Sequence, residues 1–528
     1  MEEASHDMIK NKLNTLRQRI IECEKVAGEI SQIAAQLRLV EGVTVFRAVA
    51  ANKAFLEDAF KKSGDVIFFE FVTFSGVKVL IVYIEGLVSK EILGRDIINA
   101  FIMKSKELPA NTLLDSKILT TLVTAAGVIE TQTMSEVIDD LVNGNTVLFV
   151  DGVATAFLIE SKGWETRTVA EPDTESVIRG PREGFIENIR TNTSLLRRKI
   201  KNPNLVFENI TLGKQTKTNV AIAYIDGIVN QAVLGEVRRR LNKIDTDSIL
   251  ETGYIEQFIE DSPFSPLATI ANTQKPDILA GKLLEGRVGI FCDGTPHVLT
   301  VPHLLVETLQ TSEDYYVRPF MASMWRIIRL TALFFSIFVP GLYVALQTYH
   351  QEMIPTILLL RMAGSISDIP FPAGAEMLIM VIFYELLRES GVRLPRAVGS
   401  AISIIGALIV GESAVNAGLV SAPVVIVTAV TGVAGFIVPA LSEAIMFFRF
   451  FFLIAGSVMG LYGVVCGLFL IVLYAVSLRS FGVPYTSSLA PSDQGVLMDF
   501  FLRFPLWAMK KRPPAIAKDN QQRRGDNE

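Results

Sequence analysis

The chain has 528 residues, with 50 Lys and Arg against 55 Asp and Glu for a formal net charge of -5, and half of it is hydrophobic. That length exceeds one ordinary domain, and 20% charged residues with a mean hydropathy of +0.39 place part of the chain in lipid. Whole-chain disorder, collagen and coiled coil are excluded, and the acidic balance argues against a dedicated nucleic-acid binder, which needs a basic stripe to neutralise phosphates.

The first residues, Met1 to Asp7, lack the basic region and apolar run of a secretory signal, so the long polar part is expected to stay in the cytoplasm. Glu2 to Leu39 reads as a helical extension with apolar positions near heptad spacing. An internal duplication follows. Tyr83-Ile84-Glu85-Gly86-Leu87-Val88 recurs as Tyr224-Ile225-Asp226-Gly227-Ile228-Val229, and Phe149-Val150-Asp151-Gly152 recurs as Phe291-Cys292-Asp293-Gly294. Each copy opens with an apolar strand (Val77 to Ile84, Val220 to Ile225), turns at acid-Gly and continues into an amphipathic helix such as Asn230 to Lys243. It closes on a strand ending in an Asp-Gly hairpin turn. Two similar α/β subdomains are expected. Glu85 and Asp226 either make the turn through local backbone bonds or hold a cation or ligand amine.

Between the copies, the segment Arg179-Gly180-Pro181-Arg182-Glu183-Gly184 and the nearby Arg190 concentrate arginine, glycine and proline. Arg179, Pro181, Arg182, Glu183 and Arg190 are candidates for docking or coupling through bidentate arginine pairs, or else a linker leading into a capped helix. His297 and His303 lack the neighbouring ligands a metal would need and read as structural. No phosphate-binding glycine loop, Gly-x-Ser-x-Gly or zinc pattern occurs, and no cofactor is expected. Cys23, Cys292 and Cys466 are too scattered for a disulfide framework.

From Ile327 onward, long apolar stretches alternate with short polar turns. Ile327 to Leu346 has the length of a membrane span, with Pro340-Gly341 expected to bend it. Ala373 to Leu387, Ala397 to Val410 and Leu419 to Leu441 follow, then a run from Ala444 to Val476 that is one tilted helix or a helical hairpin. Met353 to Leu360 is too short to span and reads as re-entrant or part of a broken helix. The count is about five spans, with four to six allowed. Arg326 and Arg329, Arg388, Arg393 and Arg396, and the basic tail around Lys510, Lys511 and Arg512 all belong inside by the positive-inside rule. That demands an even number, and places the error in the run from Ala444 to Val476. Expected boundaries are 1–60 for the extension, 61–178 and 179–320 for the subdomains, 321–480 for the membrane domain and 481–528 for the tail.

Glu376, Glu385, Glu412 and Glu443 lie in or at the ends of spans, where an unpaired charge is costly and faces protein or water; Arg361 and Arg449 are possible partners. The third span carries Gly399, Ser400, Ser403, Gly406 and Val410 on and beside one face, which either lines a water pathway or lets helices pack closely.

Three stretches carry a resemblance: Ser176-Val177-Ile178-Arg179-Gly180-Pro181-Arg182-Glu183-Gly184-Phe185, Leu386-Leu387-Arg388-Glu389-Ser390-Gly391-Val392-Arg393-Leu394-Pro395-Arg396, and Leu478-Arg479-Ser480-Phe481-Gly482-Val483-Pro484-Tyr485. With Thr191 to Arg198, Lys217 to Gly227 and Ile369-Pro370-Phe371-Pro372, the chain resembles the A subunits of spore germinant receptors, the GerA family, from about residue 70 to 510. The resemblance implies a protein of the inner spore membrane that works with a transporter-like B subunit and a lipoprotein C subunit. Nutrients trigger the complex, the A subunit oligomerises into a cation channel, and ions are released. Where the family often carries a second acid five residues after Glu376, this chain has Val381. A close paralogue of the family, the stage V sporulation protein AF, shares most of these motifs. The reading is a non-enzymatic channel-forming receptor subunit. The alternatives are a secondary transporter with a midmembrane site on a broken helix and an accessory scaffold of the germination complex.

Overall fold

The computed structural model describes residues 42–73, 76–99, 102–103, 127–163, 175, 177–366, 369–393, 409–487, 499, 502–517 and 520–523. The expected helical extension over residues 2–39 lies outside the described residues. By contact the chain divides into two compact units. One comprises Met1–Val169, Phe185–Ile210 and Ala221–Asp226, the other Ala170–Gly184, Thr211–Val220 and Gly227–Glu528.

The first sheet joins β1 (Val66–Val72), β2 (Lys78–Ile84), β3 (Val128–Thr131), β4 (Thr146–Val150) and β5 (Ala156–Ile159) in the spatial order β1-β2-β4-β5-β3. Every neighbouring pair is antiparallel, β1 meeting β2 from Val66 opposite Ile84 to Val72 opposite Lys78. Side chains of a strand alternate between faces. Leu80, Val82 and Ile84 therefore pack with α1 (Val49–Ala59) and α2 (Met134–Val142), while Val79 and Ile81 pack on the other face with Val88, Leu93 and Ile97. Covered on both faces, β2 and β4 read as continuous apolar runs.

The second sheet joins β6 (Leu205–Leu212), β7 (Thr218–Ile225), β8 (Ala271–Thr273), β9 (Val288–Cys292) and β10 (Val298–Val301) in the order β6-β7-β9-β10-β8. Strand for strand this is the order of the first sheet, and the duplicated residues occupy matching turns. The Glu85 amide donates to the Asp65 carbonyl at 2.9 Å and the Asp226 amide to the Asn204 carbonyl at 2.8 Å. The glycines that follow, Gly86 and Gly227, have φ of 89° and 81°, the left-handed region that favours a residue without Cβ.

The duplication extends to the preceding helices. In α1 the Asn52 side chain clasps Phe46, donating to its carbonyl at 2.7 Å and accepting its amide at 2.9 Å. In α3 (Ile189–Lys199) Asn192 clasps Ile186 the same way, at 2.6 and 2.8 Å. Within the first unit, Arg197 of α3 is fully buried and donates to both oxygens of Asp65, at 2.7 and 2.9 Å. Its remaining donors reach Ser63 Oγ and the Asn202 carbonyl, and its guanidinium lies 5.2 Å from the centre of the Phe207 ring.

Within the second unit, α4 (Gln231–Leu241), α5 (Thr252–Ile259) and α6 (Pro276–Leu284) precede the helical region. Asn230, expected as the first residue of a helix, is instead the cap of α4, its side chain accepting the Ala232 amide at 3.0 Å. The helical region comprises α7 (Pro319–Tyr349), α8 (Thr356–Ile366), α9 (Ala373–Arg393), α10 (Ala422–Phe436) and α11 (Ser442–Ser477). Among the described residues two stretches, Pro319–Tyr349 and Pro439–Ser477, are long and apolar enough to cross a membrane by length and composition; about five were expected, and most of the one expected over Ala397 to Val410 lies outside the described residues. The helix expected over Leu419 to Leu441 ends at Phe436. Val438 precedes Pro439, and a residue before proline is driven out of the helical region; its φ and ψ are -126° and 68°. The helix α7 continues through Pro340 without interruption.

Helix α11 is two helices. Gly460 breaks it with φ 60° and ψ -145°. In a straight helix Phe451 and Gly467 would stand about 24 Å apart, yet a Cβ on Gly467 would lie 2.8 Å from the Phe451 ring and 2.9 Å from that of Phe452. The run is thus a helical hairpin with its tip at Gly460. Its first arm runs parallel to α7: Arg449 reaches the Ser336 carbonyl, and the Tyr349 hydroxyl reaches the carbonyls of Ser457 and Val458. Midway the two backbones touch. A Cβ on Gly341 would meet the Phe452 carbonyl oxygen at 2.3 Å, and one on Gly456 the Gly341 carbonyl oxygen at 2.3 Å.

Two outcomes follow from these contacts. Arg197→Ala leaves Asp65 buried without its cation, and hydrogen exchange of the full-length protein should show the local opening energy of α3 and β1 falling by about 3–5 kcal/mol; unchanged protection would show the pair to be dispensable. Gly341→Ala forces the α7 and hairpin backbones apart and should destabilise the helical region by about 1–3 kcal/mol in detergent unfolding. Gly364→Ala, at a position with open space around it, serves as the control.

Candidate functional site

The hairpin α11 returns to the α/β part of its own unit through a tight β-turn. Strands β11 (Arg479–Ser480) and β12 (Val483–Pro484) pair around Phe481-Gly482, whose φ values of 49° and 82° are both left-handed, as a two-residue hairpin turn demands. A phenylalanine rarely adopts that conformation, and partners on every side hold it. Its amide donates to Asp261 at 2.7 Å, and Arg240, itself bonded to Asp261 at 2.6 Å, lies 4.3 Å from the ring centre. Ser480, wholly buried, donates to the Thr269 carbonyl at 2.6 Å and accepts the His303 amide at 3.1 Å. The Tyr485 carbonyl accepts the Leu305 amide at 3.1 Å.

Behind this turn is a buried charge cluster. Glu307 accepts from Arg287, from the Leu304 amide and, at 3.3 Å, from His303 Nδ1, with Lys282 at 3.7 Å. Burial alone would raise the Glu307 carboxyl, but Arg287 and its other partners hold it well below the usual carboxylate range. His303 is lowered, chiefly by burial, so the expected structural role suits a neutral imidazole. Burial pushes the Cys292 thiol up to about 12, an inert sulfur. No group of three metal-ligating side chains occurs among the described residues.

The entry to α7 is fixed in the same way. Asp314, fully buried, accepts from Arg326 at 3.0 Å and twice from Arg329 at 2.8 Å, while Arg326 also bonds Asp499 at 2.9 Å. These arginines, read from the sequence as orientation signals, are bound in an ion-pair network. The basic tail folds back too: Arg512 donates to the Leu284 carbonyl at 2.7 Å, and Ile516 and Ala517 are buried.

The four acids separate into three situations. Glu385 accepts from Arg449 at 2.6 Å and forms an ion pair with Arg388 at 2.9 Å; Arg449, 1% exposed, also donates to the Ser336 carbonyl at 2.9 Å and lies over Tyr384. Glu376 is fully buried and accepts the Ser421 amide, and its second oxygen has no partner. Glu412 and Glu443 are exposed, as is Arg361. Glu443, in the first turn of α11, acts on Glu256 of α5. Burial, then Glu260, Glu251 and Glu443, push the Glu256 carboxyl up to about 7.

Of the expected pore-lining residues, Gly399, Ser400, Ser403 and Gly406 lie outside the described residues; Val410 falls in a π-helical turn, Ile409–Ser413. The docking segment is divided by the unit boundary. Arg179, Pro181, Arg182 and Glu183 belong to the second unit, where the Arg179 amide donates to Glu313 at 3.2 Å; Arg190 belongs to the first, 3.3 Å from Glu85. Sequence reasoning missed Asp261 and Arg240, which carry no signal without the fold, and gave Ser480 and Arg197 no role beyond their place in the quoted motifs. The repeated apolar residue six positions before Asn52 and Asn192 was a visible signal for the duplicated helices.

The family described as the Bacillus/Clostridium GerA spore germination protein matches residues 54–515. The chain is 46% identical over 455 residues to spore germination protein KA of Bacillus subtilis strain 168, covering 86% of this chain and 83% of the relative. It is 41% identical over 468 residues to the uncharacterized membrane protein YfkQ of the same organism, covering 87% and 89%, and 36% identical over 461 residues to its spore germination protein B1, covering 87% and 95%. Among solved structures, the N-terminal domain of the A subunit of the Bacillus megaterium spore germinant receptor GerK3 matches 50% of this chain and 97% of its own, at 33% identity and a TM-score of 0.39.

Glu256 sets a pH dependence at the base of the hairpin. Its carboxyl moves from an ordinary 4.5 to about 7 on folding, so between those values the folded chain binds more protons and this group's contribution to stability falls as pH rises. Glu256→Gln should therefore gain on wild type progressively across that window in thermal unfolding of the full-length protein. Parallel profiles would remove the raised carboxyl.

Proposed function

This chain belongs to the GerA family of spore germination proteins, and on that premise we propose that it is the A subunit of a nutrient germinant receptor. In this reading it is integral to the inner spore membrane, with its α/β part and tail in the cytoplasm. It assembles with further copies and with transporter-like B and lipoprotein C subunits, and gates the release of cations. The observation that carries it is the turn at Ser480-Phe481. The α/β part of the second unit holds both the entry of α7 and the exit of α11, so a shift of that part pulls directly on the helices.

The hairpin at Gly460 supports the orientation. Entry, exit and tail all meet the α/β part, which requires an even number of crossings. Among the described residues the chain passes along α7, back along α9, back along α10, and out and back along the two arms of α11, and the span proposed over Ala397 to Val410 makes six. The Arg449–Glu385–Arg388 group suits such a bundle, because charges inside a membrane pair within protein. Gly399, Ser400, Ser403, Gly406 and Val410 remain the proposed pore-lining face.

Asp261→Asn weakens a charge-assisted hydrogen bond of about 1.5–3 kcal/mol at the turn, enough to shift a two-state gate about tenfold or more. Spores carrying it at native protein level should show nutrient-triggered cation release changed by at least that factor. Wild-type release in the variant, with release abolished by deletion, would take the turn out of the signal route. Wild-type release in both would assign the chain an accessory role.

A further inference from the structure

Nine residues before Glu385 on α9, at the start of that helix, lie oxygen atoms without partners among the described residues. Glu376, one turn into α9, is 0% exposed. One carboxylate oxygen accepts the backbone amide of Ser421, the residue that caps α10; the other has no hydrogen-bond partner. The hydroxyl of Ser421, 1% exposed, makes no cap bond and is likewise unpartnered. The Tyr343 hydroxyl of α7 lies beside Ser421 and within the field of Glu376, and Gln347 Oε1, one turn further along α7, is also buried and unpartnered. Met377, Met380, Val381, Val420 and Val424 wall the group with hydrocarbon.

A buried carboxylate with no cation costs several kcal/mol even after relaxation. The contrast lies within the same helix: Glu385 has two arginines, whereas no ion pair involves Glu376 among the described residues. Helix α10 offers one amide, which stabilises an ionised carboxylate but does not neutralise it. Among the described residues the site lacks a positive charge, and what it presents is oxygen: carboxylate and hydroxyl. That donor set suits a hard cation, and with a single acid it suits a monovalent one.

We propose that Glu376, Ser421 and Tyr343 form a binding site for a monovalent alkali cation. Glu376 supplies the charge, and the Ser421 and Tyr343 oxygens supply neutral ligation. Because α7, α9 and the start of α10 each contribute, occupancy ties three helices together, and emptying the site releases them. This rests on the reading of the helical region as an ion-conducting bundle, but it is tested without conduction.

The test is equilibrium binding of radioactive rubidium and sodium to the full-length protein in lipid nanodiscs. Saturable binding that drops at least tenfold in Glu376→Gln and weakens in Ser421→Ala supports the site. Saturable binding unchanged in Glu376→Gln overturns it, as does the absence of saturable binding by wild type. If Glu376→Gln does not assemble, Ser421→Ala and Tyr343→Phe decide: binding indistinguishable from wild type in both overturns the site. Loss of binding with normal germination would reject the conduction reading while leaving the site intact.

Discussion

The buried hydroxyl of Ser480 bonds the Thr269 carbonyl and the His303 amide, and so ties the exit of α11 to the α/β part of its own unit. A helix that leaves a folded α/β layer can drift. A hairpin that must come back to it cannot, because its last residues are needed to complete that layer's hydrogen bonds. Thr269 and His303 flank β8 and β10, so the exit of α11 is part of the second sheet's own surroundings. Asp314 does the same for α7, with two arginines on one carboxylate. Entry and exit are fixed to one body, and the helices between them can move only as that body allows.

Between these anchors, small residues set how closely the helix backbones approach. The α7 backbone approaches the hairpin closely only because Gly341 and Gly456 face each other, and Gly374 leaves room for Ser457 in the same way. Helices in lipid gain little from apolar contact, since the surrounding chains are equally apolar, and close backbone approach is the alternative source of attraction. The polar contacts then decide which helices belong together: Arg449 joins α11 to α7 and α9, and Glu376 joins α9 to α10.

The duplication was legible because its turns impose residue types: acid-Gly and Asp-Gly recur where the backbone must enter the left-handed region. The order of strands was not legible, since β3 and β8 are short and join their sheets from a distance in sequence. The apolar run of α11 was recognised, but whether it was one helix or two depended on a single glycine among many. The requirement for an even number of crossings pointed to that run, and Gly460 supplies the break. Glu385 and Glu376 looked alike in sequence, as acids in an apolar stretch. Only the fold distinguishes them, because Arg449 lies 64 positions from Glu385 along the chain.

That difference bears on how such a bundle can switch. A carboxylate paired with a buried arginine of another helix, as Glu385 is with Arg449, holds the two helices together, because removing that partner would leave a buried charge poorly compensated. A carboxylate whose counter-charge must come from outside holds its helices only while that charge is present. Nine residues apart on α9, the two acids give one helix a fixed middle and a conditional start. The fixed point lies with Arg449, in the first arm of the hairpin; the conditional one lies where α10 begins and α7 nears its finish. A displacement arriving through the base would then be expressed at the conditional start, where the helices are free to part.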